Sequence, residues 1–232
     1  MFTSRTGIAF RVRLSFKHYN SDIMYTHSKQ IIKDGTAIGE AKKAIIMLHG
    51  RGGSAEDIIS LKRVLNISDM AIYAPKASNN SWYPYSFMAP VTQNQPALDS
   101  ALDIVDQVVK EIEAEGISAE NIYFAGFSQG ACLTLEYTAR NAKRYGGIIA
   151  FTGGLIGEVI AEENYSGDFG GTPVFIATGD PDPHVPVSRV EESIEVLENL
   201  NAAVTSEIYS GRPHTISAEE IELVNEQILG IH

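Results

Sequence analysis

Short apolar runs alternate with amphipathic stretches along most of the chain. The run at residues 43–48 is apolar at nearly every position, as expected of a strand buried on both faces. Across residues 96–115, apolar side chains instead recur at intervals of three and four, which predicts a long helix closed by Gly116. Further strands are predicted at residues 30–33, 70–74, 121–125, 147–151, 172–178 and 204–209, and further helices at 54–65, 186–200 and 218–229.

This alternation of strands and helices predicts the fold class, which is α/β with a mostly parallel central sheet and helices on both faces. The connection at residues 75–96 is long and rich in aromatic side chains, and loops of this length inside a compact domain are usually functional. No insertion is long enough for a large lid domain. We therefore expect residues 24–232 to form a single domain.

Residues 1–23 differ from the rest of the chain. Every charged residue before Asp22 is a lysine or an arginine. The segment nevertheless lacks the apolar stretch and the small-residue cleavage site of a signal peptide. We interpret it as an extension outside the domain, with Met24 as the alternative start. Residues 11–16 alternate in polarity, which leaves an added edge strand open.

Composition and charge limit the classes of partner that the protein is expected to bind. The formal net charge of −11 over 232 residues disfavours nucleic acid and anionic membranes, which both attract basic surfaces. No apolar run approaches the length needed to span a bilayer. The single cysteine, Cys132, excludes an intrachain disulfide and favours a reducing, cytoplasmic setting. The sequence contains neither metal-ligand spacing nor a dinucleotide-binding glycine motif, so we predict no metal and no other cofactor.

One pentapeptide, G-x-S-x-G at residues 126–130, joins a predicted strand to a predicted helix. This is the nucleophile elbow pattern, in which the turn is tight enough to strain the serine backbone. A β-carbon at Gly126 or Gly130 would collide with the neighbouring strand or helix. The turn projects the Ser128 hydroxyl from the carboxyl edge of the sheet, beside the positive end of a helix. The same letters also occur in ordinary turns, so a catalytic interpretation depends on partner residues.

Candidate partners lie at other strand ends, which meet along one edge of a parallel sheet. An activated serine needs a base within hydrogen-bond reach, and the base needs an acid that orients it. His214 follows the last predicted strand, and Asp180 and Asp182 follow the strand at 172–178. The order serine, aspartate, histidine is that of α/β-hydrolases. These residues alone leave the choice between the two aspartates open.

With these motifs in place, the chain from about Met24 to its end resembles the phospholipase/carboxylesterase branch of the α/β-hydrolases, which includes acyl-protein thioesterases and small bacterial carboxylesterases. The matching segments are residues 48–52, 126–130 and 179–186, together with His214. The resemblance implies that Asp182, within a D-P-x-V-P loop, is the acid and that Asp180 is a turn residue.

The resemblance also implies the rest of the site. His49 would belong to the oxyanion turn as a structural hydrogen-bonding residue, and His184 would be an exposed loop residue. The oxyanion hole would use the backbone N–H groups of Arg51 and Gln129. The Arg51 side chain is either solvated or directed at an acidic group of the substrate.

Aromatic and apolar residues of the long connection are candidates for an acyl or aromatic pocket, although core packing explains them equally well. They are Trp82, Tyr83, Phe87 and Met88.

The implied activity is hydrolysis of small to medium carboxylic esters, with a small-molecule ester as the partner and a homodimer left open. Thioesters and lysophospholipids are alternative substrates for the same chemistry. A dienelactone-type hydrolase is disfavoured because Ser128 stands where a cysteine would be expected. A non-catalytic binding protein is disfavoured because no member of the serine, histidine and aspartate set is missing.

Overall fold

The computed structural model describes residues 25–230, so the interpretation of residues 1–23 lies outside the described residues. The strands are β1 (Ile31–Gly35), β2 (Lys43–Leu48), β3 (Met70–Pro75), β4 (Ile122–Phe127), β5 (Gly147–Phe151), β6 (Pro173–Asp180) and β7 (Ala203–Ser210). The α-helices are α1 (Ala55–Ile59), α2 (Val91–Asn94), α3 (Ala97–Ala114), α4 (Gln129–Arg140), α5 (Val187–Asn199) and α6 (Ala218–Gln227).

The strands form one sheet in the order β1-β3-β2-β4-β5-β6-β7. Strand β1 pairs with β3 in the antiparallel sense, and every other pair is parallel. The mostly parallel sheet is therefore confirmed. Strand β4 is central in this order, so the residue that follows it emerges at the middle of the carboxyl edge, where ligand-binding loops of parallel sheets lie.

Helices cover both faces of the sheet, as predicted. Successive side chains of β2 show the division, because Ile46 packs with α3, α4 and α5 on one face and Ile45 packs with α1 and α6 on the other. Both side chains are fully buried. The continuous apolar run of β2 follows from this position between two helical layers.

The predicted helix at 54–65 is shorter than expected. Ser54 and Asp57 form the capping box that opens α1, but the helix ends at Ile59 and continues only as a 3₁₀ turn over Ser60–Arg63. Such turns commonly tighten the end of a helix.

The long connection after β3 is ordered and packed. The buried side chain of Asn94 accepts a hydrogen bond from the Tyr85 amide at 2.9 Å and donates one to the Ser86 carbonyl at 2.9 Å. This segment therefore contributes a fixed wall beside the carboxyl end of β4.

The segment between β5 and β6 is irregular, but it is anchored to two helices. The buried carboxylate of Glu136 on α4 accepts the Ile156 amide at 2.9 Å and the Tyr165 hydroxyl at 3.0 Å. The buried Arg189 on α5 donates to the carbonyls of Leu155 and Gly157. The segment packs on the domain and forms no large additional domain, as expected. No helix within residues 25–230 is long and apolar enough to cross a membrane.

Candidate active site

Ser128 stands alone between β4 and α4 in a backbone conformation that non-glycine residues rarely adopt. Its φ is 53° and its ψ is −117°. The conformation is held from both sides, because the Ser128 amide donates to Phe151 on β5 and its carbonyl accepts the Cys132 amide, both at 3.0 Å. Strain of this kind persists only where the surrounding structure imposes it, and it is concentrated at functional sites.

Two glycines make this turn possible. A β-carbon on Gly126 would lie well inside 3.0 Å of the Gly130 carbonyl, and one on Gly130 would overlap the Leu48 carbonyl at the end of β2. In both cases the obstacle is backbone, which cannot move aside as a flexible side chain can. The glycine spacing therefore reflects the close approach of the elbow to its own helix and to the neighbouring strand.

The folded chain brings Ser128, His214 and Asp182 into one hydrogen-bonded line. His214 Nε2 lies 2.8 Å from Ser128 Oγ, and His214 Nδ1 lies 2.7 Å from Asp182 Oδ2. An ionised carboxylate only accepts hydrogen bonds, so Nδ1 carries the proton and Nε2 presents a lone pair to the serine hydroxyl. This arrangement can remove the hydroxyl proton.

Hydrogen bonds keep the Asp182 carboxyl ionised. Burial alone raises its pKa, but the hydrogen bonds from His214 and from the amides of His184 and Val185 outweigh burial, and the pKa is lowered overall. The two amides donate to Oδ1 at 2.8 and 2.9 Å. Asp180, the rival acid, is exposed at the end of β6, and the structure places Asp182 rather than Asp180 against the imidazole.

The two rival histidines have different surroundings. His49 is buried, accepts the Ala77 amide at Nε2 over 3.2 Å and donates from Nδ1 to the Gly50 carbonyl at 2.8 Å. Burial lowers its pKa, which keeps the ring neutral in this structural role. His184 is exposed, and its ring packs edge-on against that of His214 with centroids 4.9 Å apart.

The early loop passes beside the elbow, since a β-carbon on Gly50 would lie 3.5 Å from the Ser128 β-carbon. The amides of Gly52 and Gly53, which follow Arg51, are engaged within the protein, because Gly52 donates to the Asn80 carbonyl at 2.7 Å and Gly53 to the Gly50 carbonyl at 3.1 Å. Gln129 opens α4, and N–H groups in the first turn of a helix have no intrahelical acceptor. The amides of Arg51 and Gln129 are thus the candidates for binding an oxyanion.

The side chain of Gln129 has a role that the sequence did not indicate. It is buried, accepts the Trp82 amide at 2.9 Å and donates to the Tyr83 carbonyl at 2.8 Å. The elbow and the aromatic wall are therefore joined by the residue after the serine. The signal that could have revealed this contact is the presence of a long polar side chain, Gln129, directly after the serine in the motif.

A cavity of about 710 Å³ opens at Ser128 and His214. Of the four residues predicted to line a pocket, Tyr83 and Phe87 form part of its wall. Trp82 lies outside the wall, and its buried indole instead donates to the His49 carbonyl at 2.9 Å. Met88 is also outside the wall and packs against the core. The further aromatic residues of the wall are Tyr85 and Phe127.

The Arg51 guanidinium is fixed to this wall. It donates to Ser81 Oγ at 3.0 Å, to the Pro84 carbonyl at 2.8 Å and to the Tyr85 carbonyl, and it lies 5.9 Å from the Tyr83 ring centroid. The loop that carries the proposed oxyanion donor is thereby tied to the aromatic wall.

A buried ion pair supports the loop of His214. Arg212 pairs with Glu220 on α6, and it also donates to the Thr215 carbonyl at 2.8 Å and to Thr152 Oγ1 at 3.0 Å. These contacts hold both sides of His214 against the end of β5. Nothing in the sequence around Arg212 indicates that Glu220 on α6 and Thr152, directly after β5, are its partners.

Within residues 25–230, no group of three or more His, Cys, Asp or Glu side chains is placed to hold a metal ion.

The central sheet, the strained serine turn and the serine, aspartate and histidine that follow β4, β6 and β7 define an α/β-hydrolase. The phospholipase/carboxylesterase family model matches residues 31–231, and the chain belongs to that family. It is an esterase or thioesterase of the α/β-hydrolase superfamily, within the carboxylic ester hydrolases.

Named relatives agree with this placement. Acyl-protein thioesterase 1 of Kluyveromyces lactis is 29% identical over 205 residues, covering 78% of this chain and 89% of that protein. A probable carboxylesterase SOBER1-like protein of Arabidopsis thaliana is 28% identical, covering 78% of this chain and 76% of that protein. The crystal structure of a phospholipase/carboxylesterase from Dyadobacter fermentans has a TM-score of 0.88 and 72% identity, covering 89% of this chain and 99% of that chain.

Proposed function

We propose that the protein hydrolyses small to medium carboxylic esters by covalent catalysis at Ser128. The observation that carries this proposal is the line of two hydrogen bonds from Asp182 through His214 to Ser128, at 2.7 and 2.8 Å. In this assignment Ser128 is the nucleophile, His214 the general base and acid, and Asp182 the residue that orients the imidazole and stabilises its charged form.

The reaction has two symmetrical halves. Ser128 Oγ forms a bond to the ester carbonyl carbon while its proton passes to His214 Nε2. The carbonyl oxygen becomes an oxyanion and accepts hydrogen bonds from the Arg51 and Gln129 amides. When the carbonyl re-forms, the bond to the leaving alcohol breaks, and His214 gives that alcohol its proton.

The acyl-enzyme is then cleaved by water. Water gives a proton to His214 as its oxygen attacks the acyl carbon, and the carboxylic acid leaves as Ser128 Oγ regains the proton. These steps need no metal ion and no cofactor. The single cysteine is consistent with a reducing compartment, and we expect a cytoplasmic location.

The cavity supports a substrate of modest size. Its volume of about 710 Å³ lies within the range of small-molecule sites, and the more exposed aromatic residues of its wall, Tyr85 and Phe127, provide surface for an acyl or alcohol group. Thioester hydrolysis is the second candidate, because a similar relative is named acyl-protein thioesterase 1 and the same attack on the carbonyl cleaves either bond.

Ester hydrolysis by matched serine variants tests the proposal. We expect wild-type protein to hydrolyse p-nitrophenyl esters between acetate and palmitate, with a maximum among the shorter chains. Ser128→Ala should lose roughly a millionfold in kcat, the scale of a removed serine nucleophile. Ser188→Ala, which changes an exposed serine of α5, is the control and should keep wild-type activity. Activity that survives in Ser128→Ala would overturn the assignment.

A further inference from the structure

The cavity at Ser128 has an unusual charge for this protein. The chain contains 29 acidic residues against 18 lysines and arginines, yet no aspartate or glutamate is among the described residues that line this cavity. Its titratable lining includes Arg51, His184 and His214. Asp182 lies behind His214 with its side chain fully buried and both carboxylate oxygens engaged in hydrogen bonds.

Arg51 brings a full positive charge to this wall without a carboxylate partner. Its three acceptors are neutral, and none of the described acidic side chains lies within ion-pair distance of its guanidinium. The buried arginines differ from Arg51 because each has a carboxylate partner: Arg189 pairs with Glu192, and Arg212 pairs with Glu220. The charge of Arg51 is therefore available to a ligand.

The guanidinium is also held in place before any ligand binds. The carbonyls of Pro84 and Tyr85 fix it to the cavity wall, and a guanidinium has more N–H donors than the three used here. A planar fork of donors matches a carboxylate, and a group that is already positioned loses little entropy on binding.

We propose that the preferred substrate is an ester that carries a second, ionised carboxylate, and that the Arg51 side chain binds this carboxylate. This inference rests on the proposed ester hydrolysis at Ser128. The Arg51 amide is the proposed oxyanion donor, so the ester carbonyl and the carboxylate lie no more than one arginine side chain apart. Short spacers, as in half-esters of succinate and glutarate, satisfy this limit.

Two pairs of substrates test the inference. The first pair places the charge on the acyl side: monoethyl succinate against ethyl levulinate, in which a methyl ketone replaces the carboxylate. The second places it on the alcohol side: 3-(butanoyloxy)propanoate against 4-(butanoyloxy)butan-2-one. Hydrolysis is monitored by titrating the acid that is released. The measured quantity is the ratio of kcat/KM for the charged member to kcat/KM for the neutral member.

Wild-type protein should prefer the charged member of at least one pair by roughly tenfold or more, the scale of a hydrogen bond to a charged group. Arg51→Gln should reduce that ratio to about one or below, because it removes the charge. Arg51→Lys should restore part of the ratio, since the charge returns without the fork. The ratio is the readout because replacing Arg51 also frees the Pro84 and Tyr85 carbonyls.

His184→Gln is the matched control. It replaces the exposed imidazole of the wall by a neutral side chain, and the wild-type ratio should persist. A wild-type ratio of one or less in both pairs would contradict the inference, as would a preference that Arg51→Gln retains. Neutral esters distinguish failure of this inference from failure of the proposed function. If only the inference is wrong, hydrolysis still depends on Ser128 but shows no preference for the charged substrate.

Discussion

Asp182 holds His214 through one carboxylate oxygen at 2.7 Å, while its other oxygen accepts the amides of His184 and Val185. The aspartate is thus fixed by its own loop before it orients the histidine. Asp180, two residues earlier, has the same side chain but lies exposed at the end of β6. The pair offers a natural comparison between a carboxylate in the proposed site and one outside it.

Replacing Asp182 by Asn should lower kcat by roughly a thousandfold to ten-thousandfold, because an amide no longer selects the Nδ1–H form of His214. Steady-state hydrolysis of p-nitrophenyl butyrate measures this loss. Asp180→Asn is the control, and it should remain within about twofold of wild type, as exposed substitutions usually cause small effects. Equal losses in the two variants would reject Asp182 as the orienting acid.

Adding a methyl group at Gly130 should destabilise the fold and abolish hydrolysis. The new β-carbon would overlap the Leu48 carbonyl, so the elbow and β2 would have to separate. We expect a loss of about 1–3 kcal/mol or more in the free energy of unfolding, measured by urea titration. Gly39→Ala is the matched change at a glycine with nothing within 4 Å, and it should alter stability by less than about 1 kcal/mol. Wild-type stability in Gly130→Ala would contradict the close packing of the elbow.

Removing the charge of Glu220 should be costly because Arg212 would remain buried without its counter-ion. Glu220→Gln should lower the free energy of unfolding by about 3–5 kcal/mol, and kcat should fall because His214 lies two residues after Arg212. The double variant with Arg212→Met and Glu220→Met should lose less free energy of unfolding than the summed losses of the single variants Arg212→Met and Glu220→Met.

The exposed pair of Lys62 and Asp34 provides the comparison for this ion pair. Lys62→Met should change stability by about 1 kcal/mol or less. A similar effect of Lys62→Met and Glu220→Gln would show that the buried pair has no special role.

A buried histidine, His49, and a half-buried one, His27, predict a pH dependence of stability. His27 donates to the Trp82 carbonyl at 2.9 Å and accepts the Ser78 amide at 2.9 Å, so only the neutral ring satisfies both contacts. Burial lowers the pKa of His27 and of His49 below the ordinary value of 6.5. The unfolded chain therefore binds more protons than the folded chain below that value, and the contribution of each histidine is lost as the pH falls.

Urea titrations of wild type and His27→Gln between about pH 7.5 and about pH 5 measure this effect. The stability advantage of wild type should be largest at the upper end and should shrink as the pH is lowered, because the glutamine does not titrate. Comparing the two proteins cancels the general effect of changing net charge. A constant or growing difference toward low pH would contradict a neutral, half-buried His27.

The fold and the serine turn could be predicted because their signals are local, whereas the choice of Asp182 as the acid came from the family resemblance. Apolar runs identify strands, and the glycine spacing identifies the elbow. Which side chain of a loop faces a cavity is not a local property, because loops have no fixed periodicity. Trp82 and Tyr83 are neighbouring aromatic residues and both are buried, yet only Tyr83 borders the cavity. Likewise, the partners of Arg212 depend on how α6 packs, which the sequence around His214 does not specify.

Labelling with a fluorophosphonate tests whether Ser128 is the nucleophile, because this reagent bonds covalently to an activated serine hydroxyl. We expect one adduct per protein, located by peptide mass spectrometry on Ser128. Ester hydrolysis should be lost at the same rate as the label is incorporated, and Ser128→Ala should remain unlabelled. An adduct on another residue, or ester hydrolysis that continues in fully labelled protein, would contradict the claim that Ser128 is the nucleophile.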